Sequence, residues 1–433
     1  MITPQEWKSR RLAILAQMPK DAVAVIPAGE ECYRNGDTHF PFRQNSHFLY
    51  LTGLKESHAV LVLAHGKSIL FCQPRCPETE IWTGPILGPD AAKAQLLMDE
   101  TYAIDEMDHK LVNIFKGCTT VYYPFLQAGK WEKTLFSAWK QARRMVREEK
   151  YLSSAFVDLT PILAEMRVFK SDAELSCIQK AVDCSVNAHL EVMKKMSTLN
   201  HEYEAAAIFH QSLWMQGCVE TAYPTIAASG PNSCVLHYTA YHRRFLDRDL
   251  FLIDAGGEWQ GYAADITRTY PVRGHWTKEQ QAIYELVLAS QEQAIECIHP
   301  GALWQDMQRR IIHVITQGLV DLGILTGSVD GLIERQAYKA FYMHNSGHWL
   351  GLDVHDEGSY FVEQQSRVLE NNMVLTVEPG IYISPHQDRI DPKWCGIGVR
   401  IEDDVLVTSQ GSHVLSAKLP KSIAEIKAMM TNV

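Results

Sequence analysis

The sequence predicts two domains, an α/β domain over residues 1–170 and an α+β domain with a mainly antiparallel sheet over residues 171–433. A chain of 433 residues is too long for one ordinary hydrophobic core, so more than one domain is expected. The first part alternates short apolar strands with helices. From about residue 171, long helices arrive in pairs, each followed by strands that turn back through short glycine-rich loops, as in antiparallel sheets.

Hydrophobic periodicity defines the elements of the first domain. Residues 5–18 repeat apolar side chains at helical spacing, and residues 131–150 predict a charged amphipathic helix. The predicted strands are short apolar runs bounded by turn residues, at 21–27, 47–53, 59–64 and 68–72.

The second domain begins with a helix start signal. Ser171 is followed three residues later by Glu174, the pattern of a capping box. Helices are predicted over 172–198, 201–217, 278–297 and 302–322. Strands are predicted over 220–228, 250–254, 262–270, 373–378 and 398–407.

Composition argues against several classes of function. The formal net charge is −10, and the longest basic cluster is Arg143 and Arg144 with Arg147, so nucleic acid is not an expected partner. The apolar run near the N-terminus is too short for a signal peptide or a membrane span, and no membrane association is expected. Ten scattered cysteines without a CxxC pair are typical of a reducing compartment, so we expect a cytoplasmic protein.

Two aspartates flank a predicted hairpin. An apolar strand ends at Asp254, the segment AGGEWQG supplies a turn, and a second strand carries Asp265. The hairpin can bring the two carboxylates together. The alternative is that Asp254 starts a turn and Asp265 caps a strand, and the hairpin alone does not decide between them.

Three histidines lie within the segment 343–359. His344 and His348 have the spacing of a zinc helix, but the glutamate of an HExxH motif is missing and Gly347 lies inside, so that motif fails. In an extended segment, His344, His348 and His355 can supply one metal ligand and two hydrogen-bonding groups. The alternative is a run of buried, hydrogen-bonded histidines.

Two further carboxylates end or follow apolar strands. Glu378 stands directly before a Pro-Gly turn, where an unpaired charge is costly to bury. Arg400 and Glu402 are two positions apart on one predicted strand, so their side chains lie on the same face. A surface ion pair between Arg400 and Glu402 explains these two residues equally well, but it does not explain the others.

Together, the four carboxylates and one histidine indicate a metal site. An oxygen-rich ligand set with one imidazole suits two fairly hard divalent ions, such as Mn²⁺, better than a thiolate zinc site. Two such ions can share a hydroxide, because they lower the pKa of water toward about 7. A nucleophile at neutral pH is the expected result.

Ordered sequence blocks give this chain a resemblance to aminopeptidase P, a Xaa-Pro aminopeptidase family with the pita-bread fold. The blocks are LHYT (236–239), LIDAGGEWQGYAADITRTYPV (252–272), HWLGLDVHD (348–356), MVLTVEPGIYI (373–383) and GIGVRIEDD (396–404). The N-terminal segments PFRQNSHFLYLTG and EIWTGPILGPDAA also resemble that family. The resemblance implies a curved, mainly antiparallel catalytic sheet and cleavage of peptides with proline in second position.

The resemblance also implies residue roles. Asp254 binds the first metal, Asp265 and Glu402 bridge both metals, and His348 and Glu378 complete the second site. Glu378 is also the general base, and His237 and His355 donate hydrogen bonds at the scissile peptide. His344 and Arg400 line the proline side of the pocket, with Tyr382 nearby.

Two other activities are compatible with the same fold. A prolidase of the same fold uses the same five ligands on Xaa-Pro dipeptides, although the N-terminal blocks favour aminopeptidase P. A metal-free, creatinase-like hydrolase or a binding module of this fold loses the carboxylates, which are present here. The segment around Trp82 resembles one through which a neighbouring subunit reaches the active site, which implies a homo-oligomer, either a tetramer or a dimer.

Overall fold

The computed structural model describes residues 1–125, 131–144, 155–388 and 390–431. The chain divides into two compact units, Met1–Met166 and Arg167–Val433. The division lies slightly before the boundary predicted between residues 170 and 171. Arg167 and Lys170, which follow the point of division, both donate hydrogen bonds to Asp356 within the second unit.

The first unit contains a six-stranded mixed sheet in the order β6-β5-β4-β1-β7-β8. Its strands are β1 (Ala22–Pro27), β2 (Tyr33–Asn35), β3 (Thr38–His39), β4 (Val60–Ala64), β5 (Lys67–Cys72), β6 (Glu100–Ala103), β7 (Thr120–Tyr123) and β8 (Ala155–Asp158), of which β2 and β3 form a separate hairpin. Its helices are α1 (Pro4–Gln17), α2 (Ser46–Thr52), α3 (Pro77–Thr83), α4 (Gly88–Gln95), α5 (Met107–Phe115) and α6 (Trp131–Arg144), and α7 (Thr160–Val168) contains the point of division.

One predicted strand of the first unit is wrong. Residues 47–53 belong to helix α2, with Asn45 as N-cap accepting a bond from the Phe48 N–H and Gly53 in the left-handed conformation as C-cap. Every residue of α2 is buried, so its apolar run carries no helical period. The two capping residues were the available signal. For the helix predicted over 131–150, residues 145–150 lie outside the described part of the chain.

The second unit pairs its strands in antiparallel ladders, as predicted. Its helices are α8 (Asp172–Lys195), α9 (Glu202–Met215), α10 (Lys278–Glu296), α11 (Trp304–Asp321), α12 (Val329–Glu334) and α13 (Ile423–Thr431). Its strands are β9 (Glu220–Thr221), β10 (Ile226–Ser229), β11 (Leu250–Asp254), β12 (Gly257–Trp259), β13 (Tyr262–Ala263), β14 (Thr267–Pro271), β15 (Phe361–Val362), β16 (Gln365–Ser366), β17 (Val374–Val377), β18 (Gly380–Ile383), β19 (Ile397–Arg400), β20 (Asp403–Thr408) and β21 (Gly411–Val414). The main ladders are β10-β11-β14, β17-β20-β21 and β18-β19.

Helices α8 to α11 cover one face of these ladders. Phe209 of α9 and Ile311 of α11 share a core with Phe251 and Ile253 of β11. Leu252 belongs to a smaller apolar cluster with Ile226 and Tyr382. Because side chains alternate along a strand, the second face is the one that carries the polar site. Among the described residues, no helix is long and apolar enough to span a bilayer.

Candidate metal centre

Asp254 lies at the end of β11 and lines a cavity of about 940 Å³. Its Oδ1 accepts a hydrogen bond from the Tyr223 hydroxyl at 2.6 Å, and its Oδ2 accepts one from Arg400 Nη2 at 2.6 Å. The residue is 8% exposed. Hydrogen bonds therefore fix both oxygens of the carboxylate.

Asp265 lies where the predicted strand 262–270 breaks between β13 and β14. Outside the ladder, its backbone N–H donates to Asp404 Oδ2 at 3.1 Å. Two residues later, Thr267 pairs with Asp254 across the β11–β14 ladder. The pairing brings both aspartates to the same end of the sheet, and both line the cavity.

His348 belongs to an extended segment that runs beside β17. Its N–H donates to Thr376 Oγ1 at 3.1 Å, and its carbonyl accepts from the Thr376 N–H at 2.9 Å. Nδ1 lies 2.9 Å from the carbonyl of Trp349, a bond that orients the ring and leaves Nε2 facing the acidic residues. Nε2 lies 3.3 Å from Asp265 Oδ2 and 3.7 Å from Glu378 Oε1.

Glu402 lies in the break between β19 and β20 and is 1% exposed. The hydroxyl of Thr267 donates to its Oε2 at 2.7 Å, and its backbone N–H donates to the Thr267 carbonyl at 3.1 Å. Arg268 Nη1 donates to the Glu402 carbonyl at 2.6 Å. Arg400 pairs with Asp254 instead, so Glu402 is not one half of a surface ion pair with Arg400.

These side chains form a group with the chemistry of a metal site. Asp265, His348 and Glu402 each place one ligand atom within 4.8 Å of the other two. Asp254 and Glu378 line the same cavity. Four carboxylates crowded into a buried space repel one another, and Arg400 offsets only one negative charge, so divalent cations fit this donor set.

This crowding shifts the pKa values of the carboxylates and of His348. Burial, together with the charge of Asp265, raises the pKa of Glu378 to about 8. Burial and the neighbouring carboxylates raise the pKa of Glu402 well above its usual value and also raise that of Asp265. Burial opposes protonation of His348, yet the hydrogen bond and charge of Asp265 raise its pKa to about 9. Bound cations stabilise the ionised carboxylates by the same electrostatics.

A second polar group adjoins the carboxylates. Tyr382 is 2% exposed, and its hydroxyl lies 2.9 Å from His344 Nε2 and accepts a bond from Arg400 Nη1 at 2.9 Å. Burial and the charge of Arg400 lower the pKa of His344 to about 4, which favours the neutral imidazole. Arg400 thus connects this group to Asp254.

His237 and His355 are the exposed histidines of the cavity. The His355 ring meets the His348 ring edge to face, with 4.3 Å between centroids. His237 lies on the loop after β10, where the neighbouring Leu236 carbonyl is 3.5 Å from Arg400 Nη2. The cavity is lined by nine of the ten residues selected from the sequence, and the tenth, Tyr382, contacts two of them.

Sequence reasoning missed several residues around the site. Tyr223 and Thr267 each donate to a carboxylate, and Trp304, Gln308 and Tyr360 line the cavity. Thr267 had a usable signal, because it follows Asp265 by two residues on a predicted strand. The cavity-lining residues of α11 gave no such signal in the sequence, because helical periodicity does not show which end of a helix faces a cavity.

Family comparisons cover most of both units. The family described as metallopeptidase family M24 matches residues 176–409, and the aminopeptidase P N-terminal domain matches residues 7–122. A Xaa-Pro aminopeptidase from Haemophilus influenzae is 43% identical over 98% of this chain and 97% of its own length. One from Escherichia coli is 40% identical over 99% of this chain and 98% of its own length.

Solved structures agree with these matches. The aminopeptidase PepP of Pseudomonas aeruginosa has a TM-score of 0.96 and 41% identity, over 100% of this chain and 98% of that one. A glutamate-to-alanine variant of Escherichia coli aminopeptidase P in complex with substrate has a TM-score of 0.96 and 39% identity, over 100% and 99% of the two chains. The fold implied by the resemblance is confirmed.

Proposed function

The chain belongs to metallopeptidase family M24, and we propose that it hydrolyses the bond between an N-terminal residue and a proline in second position. The observation that carries the proposal is the convergence of four carboxylates and one imidazole on one cavity. Alignment over nearly the whole chain with Xaa-Pro aminopeptidases supports this substrate class.

Two divalent ions per chain, Mn²⁺ by preference, would be held by the five converging residues. We assign Asp254 to the first ion, and His348 and Glu378 to the second. Asp265 and Glu402 would contact both. When bound, such an ion pair polarises a carbonyl and generates a nucleophile from water near neutral pH.

The remaining chemistry belongs to side chains of this protein. The Glu378 carboxylate accepts the proton of the attacking water, as a general base. His237 and His355 donate hydrogen bonds to the scissile carbonyl oxygen as negative charge develops there. Loss of one such donor typically slows turnover by roughly 10²- to 10³-fold.

Proline fits this mechanism because its amide has no N–H to donate. A site that acts on the carbonyl does not require that donor. His344 and Arg400, joined through the Tyr382 hydroxyl, would form the wall on the proline side. The free amine of the substrate would bind beside Asp254.

Location and assembly are part of the proposal. The ten cysteines are scattered along the chain without a CxxC pair, which supports a reducing, cytoplasmic location. In the first unit, Ile81 and Trp82 are 81% and 87% exposed. Exposed apolar side chains of this kind support a homo-oligomer, with the first unit contributing to assembly and substrate access.

A peptide comparison tests the activity. With Mn²⁺-loaded protein, we expect kcat/KM for Arg-Pro-Pro to exceed that for Gly-Pro at least tenfold. Chelation should abolish both activities, and added Mn²⁺ should restore them. A preference for Gly-Pro would identify a prolidase instead. Binding of fewer than one ion per chain would favour the metal-free alternative.

A further inference from the structure

Asp356 is a buried carboxylate that the proposed mechanism does not use. It follows His355 directly, and its side chain is 1% exposed. It accepts hydrogen bonds from Arg167 Nη2 at one oxygen and from Lys170 Nζ, at 3.0 Å, at the other. The side chains of Arg167 and Lys170 are also 1% exposed.

Such a buried ion cluster is costly unless its members hold one another in place. Lys170 Nζ also donates to the Arg167 carbonyl at 2.7 Å, which ties the two cations together at the end of α7. Burial alone would raise the pKa of Asp356, but the charges of Arg167 and Lys170 lower it below its usual value. The carboxylate is therefore ionised and fixed.

The segment from His348 to His355 closes around this carboxylate. The Asp356 N–H donates to the Trp349 carbonyl at 2.9 Å, and the Asp353 N–H donates to Asp356 Oδ1 at 3.3 Å. A Cβ at Gly351 would lie 2.2 Å from Asp356 Oδ2, so only glycine leaves room for the carboxylate. Arg167 also donates to Asp353 Oδ2 at 2.6 Å, so the same cation holds the loop between a proposed metal ligand and a proposed carbonyl donor at two carboxylates. Of the two, Asp356 is the buried one and stands next to His355.

His355 directly precedes this anchored carboxylate in the chain. Its side chain is exposed, and its ring contacts His348 edge to face. We propose that Asp356, held by Arg167 and Lys170, is a positioning residue that aims His355 at the scissile carbonyl, an inference that rests on the proposed function. Asp356 does not itself touch the substrate.

A double-mutant cycle on the Mn²⁺-loaded full chain tests this role, with Arg-Pro-Pro as substrate. We expect His355→Ala to lower kcat about a hundredfold while metal content stays unchanged. Asp356→Asn should lower kcat at least tenfold with KM changed less than threefold. In the His355→Ala background, Asp356→Asn should change kcat less than twofold, because the residue acts through His355.

A structure of the Asp356→Asn variant provides a second readout. We expect the His355 ring to leave its 4.3 Å contact with the His348 ring while the His348 ring keeps its place. Should Asp356→Asn fail to fold, Lys170→Met replaces it in the cycle. This substitution removes one partner of the Asp356 carboxylate and leaves its pair with Arg167 in place. We expect Lys170→Met also to lower kcat in the wild-type background and to change it less than twofold in the His355→Ala background.

Controls separate the inference from its premises. Leu319→Ala opens a cavity at the other end of α11, about 22 Å from Trp304, and should lower Tm without changing kcat. Equal losses of kcat from Asp356→Asn in both backgrounds, or no loss, would overturn the positioning role. Failure of the wild-type protein to cleave Arg-Pro-Pro would instead reject the proposed function.

Discussion

At the scale of single residues, Asp265 has a central place in the cavity. Its carboxylate lies 3.3 Å from His348 Nε2, and it belongs to the one described group of three ligand atoms lying within 4.8 Å of one another. Its backbone is fixed separately through Asp404. In the proposed assignment, Asp265 is shared by two ions. The neighbouring carboxylates of Asp254 and Glu402 cannot take its place, because hydrogen bonds already fix them.

We therefore expect Asp265→Ala to abolish binding at both metal positions and to lower kcat/KM at least a thousandfold. Metal analysis after Mn²⁺ loading measures the first effect, and peptide hydrolysis measures the second. Asp247→Ala is a matched control, because this substitution removes the same negative charge from a side chain that is 89% exposed. Activity within tenfold of wild type in Asp265→Ala would reject the shared ligand.

At the scale of elements, the loop after β10 is anchored to the start of α9. Glu202 is fully buried, and its Oε1 accepts bonds from the Ser229 N–H and hydroxyl at 2.8 Å each. Its Oε2 accepts from the Tyr238 hydroxyl at 2.9 Å and from the Arg243 N–H at 3.0 Å. Tyr238 is the neighbour of His237, so the Glu202 carboxylate holds the loop next to His237.

Glu202→Gln should weaken this anchor, because it replaces one carboxylate oxygen by an amide NH₂ group. That group cannot accept the hydrogen bonds that the oxygen accepts. We expect a loss of about 2 kcal/mol in the free energy of unfolding and a lower kcat through His237. Urea denaturation and peptide hydrolysis measure the two effects. Glu204→Gln, on the same helix with a side chain 30% exposed, should change both much less.

At the scale of the whole molecule, the first unit presents large exposed apolar side chains. Trp82 is 87% exposed at the end of α3, and Trp214 of the second unit is 65% exposed. Resemblance to the family singles out only the Trp82 segment as one that serves a neighbouring subunit. The two tryptophans therefore form a matched pair for mutation.

We expect the 49.0 kDa chain to form a tetramer, measured by light scattering after size-exclusion chromatography. Trp82→Ala should lower kcat/KM about tenfold, whereas Trp214→Ala should leave it within twofold of wild type. A monomer with full activity would contradict the assembly role of the first unit. Equal effects of the two substitutions would contradict the special role of Trp82.

Much of the fold was predictable because its signals are local. The capping box at Ser171, the periodicity of α8 to α11 and the apolar run of β11 each depend on neighbouring residues. Helix α2 was not predictable from periodicity, because all its side chains are buried. The residue types of the site were also readable, since acidic residues at strand ends are unusual.

The sequence by itself determined the kinds of side chain available for chemistry and the strands that carry them. Only the tertiary structure decided which of them meet. Thr267 and Glu402 are 135 positions apart yet share a hydrogen bond, and Arg167 reaches Asp356 across 189 positions. Contacts of this range depend on how strands and helices pack, and the local patterns of a sequence carry no record of that packing.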